Sequence, residues 1–181
     1  LSQRLNASRT PIREALIKLE LLGFVQRRPA GGWDVSALDV EQSLQRYEIK
    51  AMIEAYAVLR STPASREAFL QKVRPILVEM RRAARAGDYD AYRDLDLEFH
   101  DSLLCMHENQ FIAEMYVESI KHVRWIRKMA ISPYLQMKDS LADHTRIVEA
   151  LAAHDVVRAV DELVAHLERL LAKVRQDIMH K

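Results

Sequence analysis

Residues 6–36 constrain the fold of this chain more than any other stretch, because three local signals follow one another there. Ser8 or Thr10 can cap a helix, and Pro11 fits its first turn, where a missing N–H would be unpaired anyway. Gly23 then ends the helix, and a hairpin pattern follows. One helical face is apolar, with Ile12, Leu16, Leu19 and Leu22 at helical spacing, and its first three residues are predicted to pack on a partner helix.

The polar residues of this stretch point to DNA. Arg9 and Arg13 are four residues apart, so they share one face at the amino-terminal end of the helix. A helix in the major groove reaches base edges with that end, and arginine pairs bidentately with guanine. Arg28 precedes a turn in which Gly31 and Gly32 would let backbone approach DNA closely. The alternative is an amphipathic surface helix with solvated arginines, and the succession of helix, glycine stop and basic hairpin favours the DNA-reading module.

Charge and composition agree with that interpretation. Residues 1–35 carry six basic and three acidic groups, whereas the remainder is slightly acidic. A basic head on an acidic body suggests a module that binds a polyanion. No apolar run of about 18 residues occurs, so the sequence predicts no membrane span. The single Cys105 suits a reducing cytoplasm, and we expect it to be a small buried hydrophobe.

After residue 36 the strand signals vanish and amphipathic helical patterns follow one another. Asp88, Asn109 and Asp155 stand where N-caps are needed. The predicted fold is mainly α: a truncated winged helix-turn-helix with a small β-hairpin wing over 1–36, then an antiparallel all-helical bundle over 37–181. The body helices are expected at 38–61, 65–86, 89–107, 110–131, 136–153 and 156–179.

Four polar residues of the body suggest a metal site. Asp96 and His100 are four apart and share a helix face. His144 and His166 each lie about eleven residues from the turn near 154–155, so antiparallel helices would bring both imidazoles to the same level. Three imidazoles and a carboxylate suit Zn²⁺, Ni²⁺ or another borderline divalent ion. Spacing alone leaves open the alternative of histidines that are simply buried and hydrogen-bonded.

The first 36 residues, "LSQRLNASRTPIREALIKLELLGFVQRRPAGGWDVS", resemble the second half of the winged helix-turn-helix of GntR-type bacterial transcription regulators. The resemblance implies that residues 1–5 belong to the second helix, that 9–22 form the recognition helix and that 26–35 form the wing. The first helix of the family's module has no counterpart here. The residues that would contact DNA are Arg9, Thr10 and Arg13, with Gly31 or Gly32 at the tip of the wing.

Residues 38–179 resemble the helical effector-binding FCD domain of the FadR subgroup. Its metal-binding members carry an Asp, a His four residues later and two further His, which implies Asp96, His100, His144 and His166 as ligands. Members often place an Arg four residues before a Glu on the first body helix, where it can hold an acidic effector. Lys50 occupies that position, so the charge is kept but the bidentate fork is lost. Arg124 and Arg127 are further candidate cations for an effector.

These patterns together predict a ligand-responsive transcription regulator, acting as a repressor in the cytoplasm and not as an enzyme. Its expected partners are a double-stranded DNA operator, a small carboxylate-type effector that completes the metal coordination, and a second copy of the chain. An all-helical metalloenzyme with a site of three histidines and one aspartate is the alternative, since an open metal position could activate water. A helical dimerisation module would predict neither metal nor DNA. A regulator binds a DNA fragment, and small acids change that binding. An enzyme would instead turn over a substrate.

Overall fold

The computed structural model describes residues 2–37, 39–130 and 134–179. The chain divides into two compact units, Leu1–Asp39 and Val40–Lys181. The first unit has two helices followed by two strands, and the second has six long helices and one short 3-10 helix. We refer to the two units as the head and the body.

The helices of the head are α1 (Ser2–Leu5) and α2 (Arg9–Leu21). Ser8 occupies the N-cap position of α2 with an extended backbone, but its side chain makes no capping hydrogen bond. At the other end Gly23 takes a φ of 77°, and its N–H donates to the carbonyl of Glu20 at 2.9 Å. This left-handed residue closes the helix because glycine adopts positive φ without steric cost.

The strands of the head, β1 (Val25–Arg27) and β2 (Trp33–Val35), pair antiparallel with Gln26 opposite Asp34. The turn between them contains Gly31 and Gly32, each with a φ of 90°. A Cβ on Gly32 would lie 2.9 Å from the Arg28 guanidinium, so a larger residue would displace that side chain. The helix, glycine stop and hairpin predicted from the sequence are therefore confirmed.

The apolar face of α2 is only partly covered within residues 2–37. No residue of α2 is buried there, and the packing of its apolar face on a partner helix stays a prediction. Ile12 and Leu16 are half-buried, and Leu19 is 38% exposed. The helix packs mainly against β1, and two three-residue strands are too short to cover a thirteen-residue helix.

The body helices begin and end at residues whose side chains or backbones fit those positions. Thr62 and Ser65 form a reciprocal capping box at the start of the second long helix, and Gly87 ends it in the left-handed conformation. Asp88 and Asp155 accept backbone hydrogen bonds at the starts of the third and the sixth long helix, as predicted. The helices are α3 (Val40–Leu59), α4 (Pro63–Ala86), α5 (Tyr89–Leu103), α6 (Gln110–Ala130), α7 (Tyr134–Ala152) and α8 (Val156–Met179).

A mostly apolar core holds the body helices together and surrounds the polar cluster described below. Helix α7 packs on α8, and α3 packs on α8 and α6. Phe99, Ile147 and Leu163 are fully buried between these elements. Because α7 and α8 are joined by a short turn, they run antiparallel with their middles at the same level. That arrangement places His144 beside His166.

The expectation that Cys105 is buried is wrong. The thiol is exposed rather than buried. It lies on the 3-10 helix Leu104–Met106 that follows α5, and there Met106 is the residue that enters the core, with 1% of its surface exposed. A 3-10 helix has three residues per turn, so neighbouring side chains point about 120° apart. When Met106 faces the core, Cys105 therefore faces outward.

Candidate functional site

Three histidines from three helices meet in the interior of the body. His100 lies on α5, His144 on α7 and His166 on α8, and each has at most 4% of its surface exposed. One nitrogen from each ring lies within 4.8 Å of the other two. An ion about 2.0–2.1 Å from each nitrogen holds any two of them within about 4.2 Å of each other, so shifts of at most about one ångström would close the cluster around an ion.

Asp96 lies beside this cluster, one helical turn before His100 on α5. Its carboxylate oxygens are 4.0 Å from Nε2 of His100 and 3.7 Å from Nε2 of His144. The hydroxyl of Ser140 donates to Oδ1 of Asp96 at 3.1 Å and orients the carboxylate. The structure therefore brings together all four residues that the sequence predicts as metal ligands. That they bind a metal stays a prediction.

Two further carboxylates fix how the histidine rings present their nitrogens. Nδ1 of His100 lies 3.1 Å from Oε2 of Glu54, and Nδ1 of His166 lies 3.1 Å from Oδ2 of Asp143. A carboxylate only accepts hydrogen bonds, so each Nδ1 carries the proton and each Nε2 of a neutral ring keeps its lone pair. This is the arrangement that metal-binding histidines need. The residues present therefore fit a divalent ion.

Glu54 connects the cluster to two more buried side chains. Lys50 donates to it at 2.7 Å and 2.8 Å, and the Tyr116 hydroxyl donates at 3.0 Å. Burial alone would raise the pKa of Glu54, but its contacts with His100 and Lys50 outweigh that effect and lower the pKa to about 2. Glu54 is therefore an anion near neutral pH, although it is fully buried.

Asp143 is held in a comparable way on the other side. It accepts from both Nε and Nη2 of Arg169, at 3.1 Å and 2.9 Å, and from Arg146. Burial opposes its ionisation, but His166 and Arg169 together lower its pKa below the usual range. Burial is also the main cause that lowers the pKa of His166, which favours the neutral ring.

Sequence patterns did not single out Glu54, Asp143 or Tyr116 as part of this site. No local motif signals these roles. Glu54 is 46 residues from His100, and Asp143 is 23 residues from His166. The one available signal was a carboxylate among the apolar positions of a helix, because buried acids are rare without partners.

The candidate effector cations have different surroundings. Lys50 is 1% exposed and bonded to Glu54, next to the cluster. Arg124 is half exposed and pairs with Asp101 of α5 at 2.7 Å. The side chain of Arg127 lies outside the described residues. A role in effector binding stays a prediction for all three.

In the head, the predicted DNA-contacting residues other than Thr10 share one concave surface. Arg9 and Arg13 project from α2, and Arg28 stands at the base of the turn. Arg28 pairs with Asp34 at 3.4 Å, whereas Arg9 and Arg13 make no ion pair within residues 2–37. Thr10 lies in the first turn of α2 and is exposed. Gly31 and Gly32 also line this surface.

Comparison with known proteins identifies both units. Residues 1–35 match the pattern of bacterial regulatory proteins of the gntR family, and residues 45–169 match the FCD domain. The chain belongs to the GntR family of regulators and carries an FCD domain. It is a DNA-binding transcription regulator, and the family as well as the names of its relatives indicate regulation rather than catalysis.

Several curated relatives align with most of this FCD-containing regulator. The transcriptional repressor RspR of Escherichia coli K12 is 29% identical over 97% of this chain and 77% of its own length. A probable D-xylose utilization operon repressor of Paenarthrobacter nicotinovorans is 27% identical over 94% of this chain and 75% of its own length. The Nta operon regulator of Aminobacter aminovorans is 27% identical over 79% of this chain and 71% of its own length.

Solved structures share the fold. A GntR-type chain from Rhodococcus sp. RHA1 superposes with a TM-score of 0.83 at 22% identity, covering 97% of this chain and 84% of that one. The metal-free FCD domain of TM0439 gives a TM-score of 0.67 at 16% identity, and the match covers 81% of this chain and 100% of that domain. The mainly α architecture with a β-hairpin is thereby confirmed. Within the described residues, no helix is both long and apolar enough to cross a membrane.

Proposed function

We propose that this regulator is a repressor that senses a small organic acid through a divalent metal ion held by Asp96, His100, His144 and His166. The observation that carries the proposal is the convergence of three buried imidazoles, two of which bond through their other nitrogen to a carboxylate. Nitrogen and oxygen donors of this kind suit Zn²⁺ or Ni²⁺. Two relatives are named as repressors, which supports the direction of regulation.

The residues of the chain have separate tasks in this proposal. Asp96 and one nitrogen of each histidine supply four donors, and Glu54 and Asp143 keep the rings of His100 and His166 in the correct tautomer. When bound, the ion supplies open coordination positions for a carboxylate oxygen. Binding of the acid then biases the placement of the DNA-reading heads in a dimer. Because operator DNA is the target, the protein works in the cytoplasm.

The proposal is tested by comparing metal-loaded protein with chelated protein. Elemental analysis gives the metal content, and mass spectrometry identifies any small molecule that co-purifies. We expect small acids to change the affinity for operator DNA only when the metal is bound, since the acid needs the ion as its ligand. If chelated protein bound the same acid with unchanged affinity, the ion would be structural and the proposed sensing mechanism wrong.

For DNA recognition we expect Arg13 and Arg28 to behave differently. Arg13→Ala should relax base preference by about 1–3 kcal/mol, because the side chain sits where α2 reaches base edges. Arg28→Ala should weaken binding to all sequences alike and lower the salt slope by about one unit, as loss of a phosphate contact does. Fluorescence anisotropy with specific and scrambled duplexes over a salt series measures both. Equal affinity of the wild type for both duplexes at physiological salt would contradict specific recognition.

We further propose that the chain forms a homodimer through α3 and α6, which pack side by side. Ile49, Met52, Tyr56 and Leu59 share one face of α3 and are 41–62% exposed. On α6, Phe111 and Met115 are also more than half exposed. Such apolar faces are typical of protein interfaces. A dimer also places two recognition helices on a twofold-symmetric site.

The dimer is tested by charging this face. The double substitution Met52→Asp and Leu59→Asp should convert the dimer into a monomer in sedimentation velocity, because two buried carboxylates per protomer would lack partners. Val78→Asp is the matched control, since Val78 of α4 is 57% exposed and lies outside α3 and α6. A wild-type monomer, or a dimer unaffected by the double substitution, would show that another surface is used.

A further inference from the structure

A small cavity opens beside the metal-ligand cluster, between α7 and α8. Its volume is about 30 Å³. A cavity needs roughly 10–15 Å³ to hold one water, so this one holds about two water-sized groups, the size of a carboxylate. The polar residues that line it are Asp139, Ser140, Asp143, His166, Arg169 and Lys173.

The cavity leads from the cluster towards the surface. At its inner end are His166, which is 4% exposed, and Ser140, whose hydroxyl holds Asp96. Arg169 and Lys173 follow His166 by three and seven residues, so they continue its face along α8. Helical side chains lean towards the N-terminus, and the long Lys173 side chain therefore reaches back in the direction of His166.

The two cations of this cavity have different partners. Arg169 makes two hydrogen bonds to Asp143, the buried carboxylate that orients His166. Lys173 pairs across the cavity with Asp139 of α7 at 2.7 Å, and the Asp139 side chain is 65% exposed. The Lys173 side chain is 34% exposed, so water reaches the ion pair mainly from the Asp139 side and weakens it. An incoming anion can therefore compete with Asp139 for Lys173, whereas Arg169 already holds the carboxylate that orients His166.

We propose that Lys173 recognises a second carboxylate of the effector, so that the regulator responds to dicarboxylates in preference to monocarboxylates. This inference rests on the proposed function, in which the first carboxylate binds the metal. The second carboxylate occupies the cavity between α7 and α8 and displaces Asp139 from Lys173.

The test measures acid binding by calorimetry to the full chain loaded with Zn²⁺. Malonate, succinate and glutarate are each compared with the monocarboxylate of the same length, namely propionate, butyrate and valerate. We expect at least one dicarboxylate to bind about tenfold tighter than its partner, as a charge-assisted hydrogen bond in a partly buried cavity provides. Lys173→Gln should remove most of that preference while leaving monocarboxylate and Zn²⁺ affinities within about twofold.

Two further variants separate recognition from net charge. Arg175→Gln removes one positive charge from an exposed position of the same helix and should keep the preference. Asp139→Asn removes the competing carboxylate and should strengthen dicarboxylate binding. An unchanged preference in Lys173→Gln, or equal binding of mono- and dicarboxylates to the wild type, would overturn the inference and leave metal-dependent sensing intact. If no acid bound the loaded protein, both the inference and the proposed sensing would fail.

Discussion

Replacing His144 with alanine should lower the affinity for Zn²⁺ by more than about hundredfold. His144 is fully buried, with Nε2 3.7 Å from Asp96, and it belongs to the cluster of three converging rings. Removal of an outer partner of a metal ligand alone costs about 10–100-fold, so loss of a ligand costs more. Competition with a chromophoric chelator measures this affinity directly.

Thermal stability gives a second readout of the same variant. An ion present at about 100 times its dissociation constant adds about 2.7 kcal/mol to the free energy of unfolding. For a chain of this size, that corresponds to roughly 5–10 °C in Tm. His144 also stacks on Phe99, with ring centroids 4.1 Å apart, so its loss weakens packing even without metal. The diagnostic quantity is therefore the Tm difference between loaded and chelated protein, which should vanish in His144→Ala.

The control for His144→Ala is His154→Asn. His154 is exposed, lies in the turn between α7 and α8 and has a φ of 60°, which asparagine tolerates. This variant removes an imidazole from the same region and should keep the full metal-induced shift. If His144→Ala retained that shift, the metal would bind elsewhere.

Acid should weaken the same site. Burial lowers the pKa of His166, so the folded state favours the neutral ring more than the unfolded state does. A depressed histidine pKa contributes stability above the unfolded value of about 6.5, and this stability is lost as pH falls below it. Metal binding also requires neutral imidazole. The metal-induced Tm shift should therefore shrink between about pH 8 and pH 5.

The sequence predicted those parts of the fold and site that local patterns determine. Gly23, Asp88 and Asp155 end or begin helices by local hydrogen bonds, so they can be recognised from the residues alone. His144 and His166 could be paired because both lie about equally far from one short turn. Regular helix geometry then converts sequence distance into position.

What the sequence missed depends on tertiary packing. The contact of Glu54 with His100 joins α3 to α5, and nothing in either helix specifies that these faces meet. The exposure of Cys105 depends on which residue of a 3-10 turn faces the core. Likewise, the apolar stripe of α2 predicts burial but not what supplies the covering surface.

Replacing Lys50 with methionine should lower the free energy of unfolding by about 3–5 kcal/mol, the usual cost of removing one partner from a buried ion pair. Lys50 and Glu54 are 1% and 0% exposed and lie 2.7 Å apart. Methionine fills similar space, so the loss would come from the charge that Glu54 keeps and not from a cavity. Urea unfolding of chelated protein measures it, and Lys72→Met, at an exposed position of α4, should stay within about 0.5 kcal/mol of the wild type.

The double variant Lys50→Met with Glu54→Gln separates charge from packing. It should be more stable than Lys50→Met, because the buried carboxylate is then absent, and the two substitutions should be strongly non-additive. The destabilisation by Lys50→Met should also be smaller at about pH 5 than at about pH 8. The wild type holds the pKa of Glu54 at about 2, but without Lys50 the carboxyl takes up a proton at higher pH, which removes the charge that has lost its ammonium partner. A nearly neutral Lys50→Met that instead lost acid binding would identify Lys50 as an effector contact, and the ion pair with Glu54 would then be one that the effector replaces.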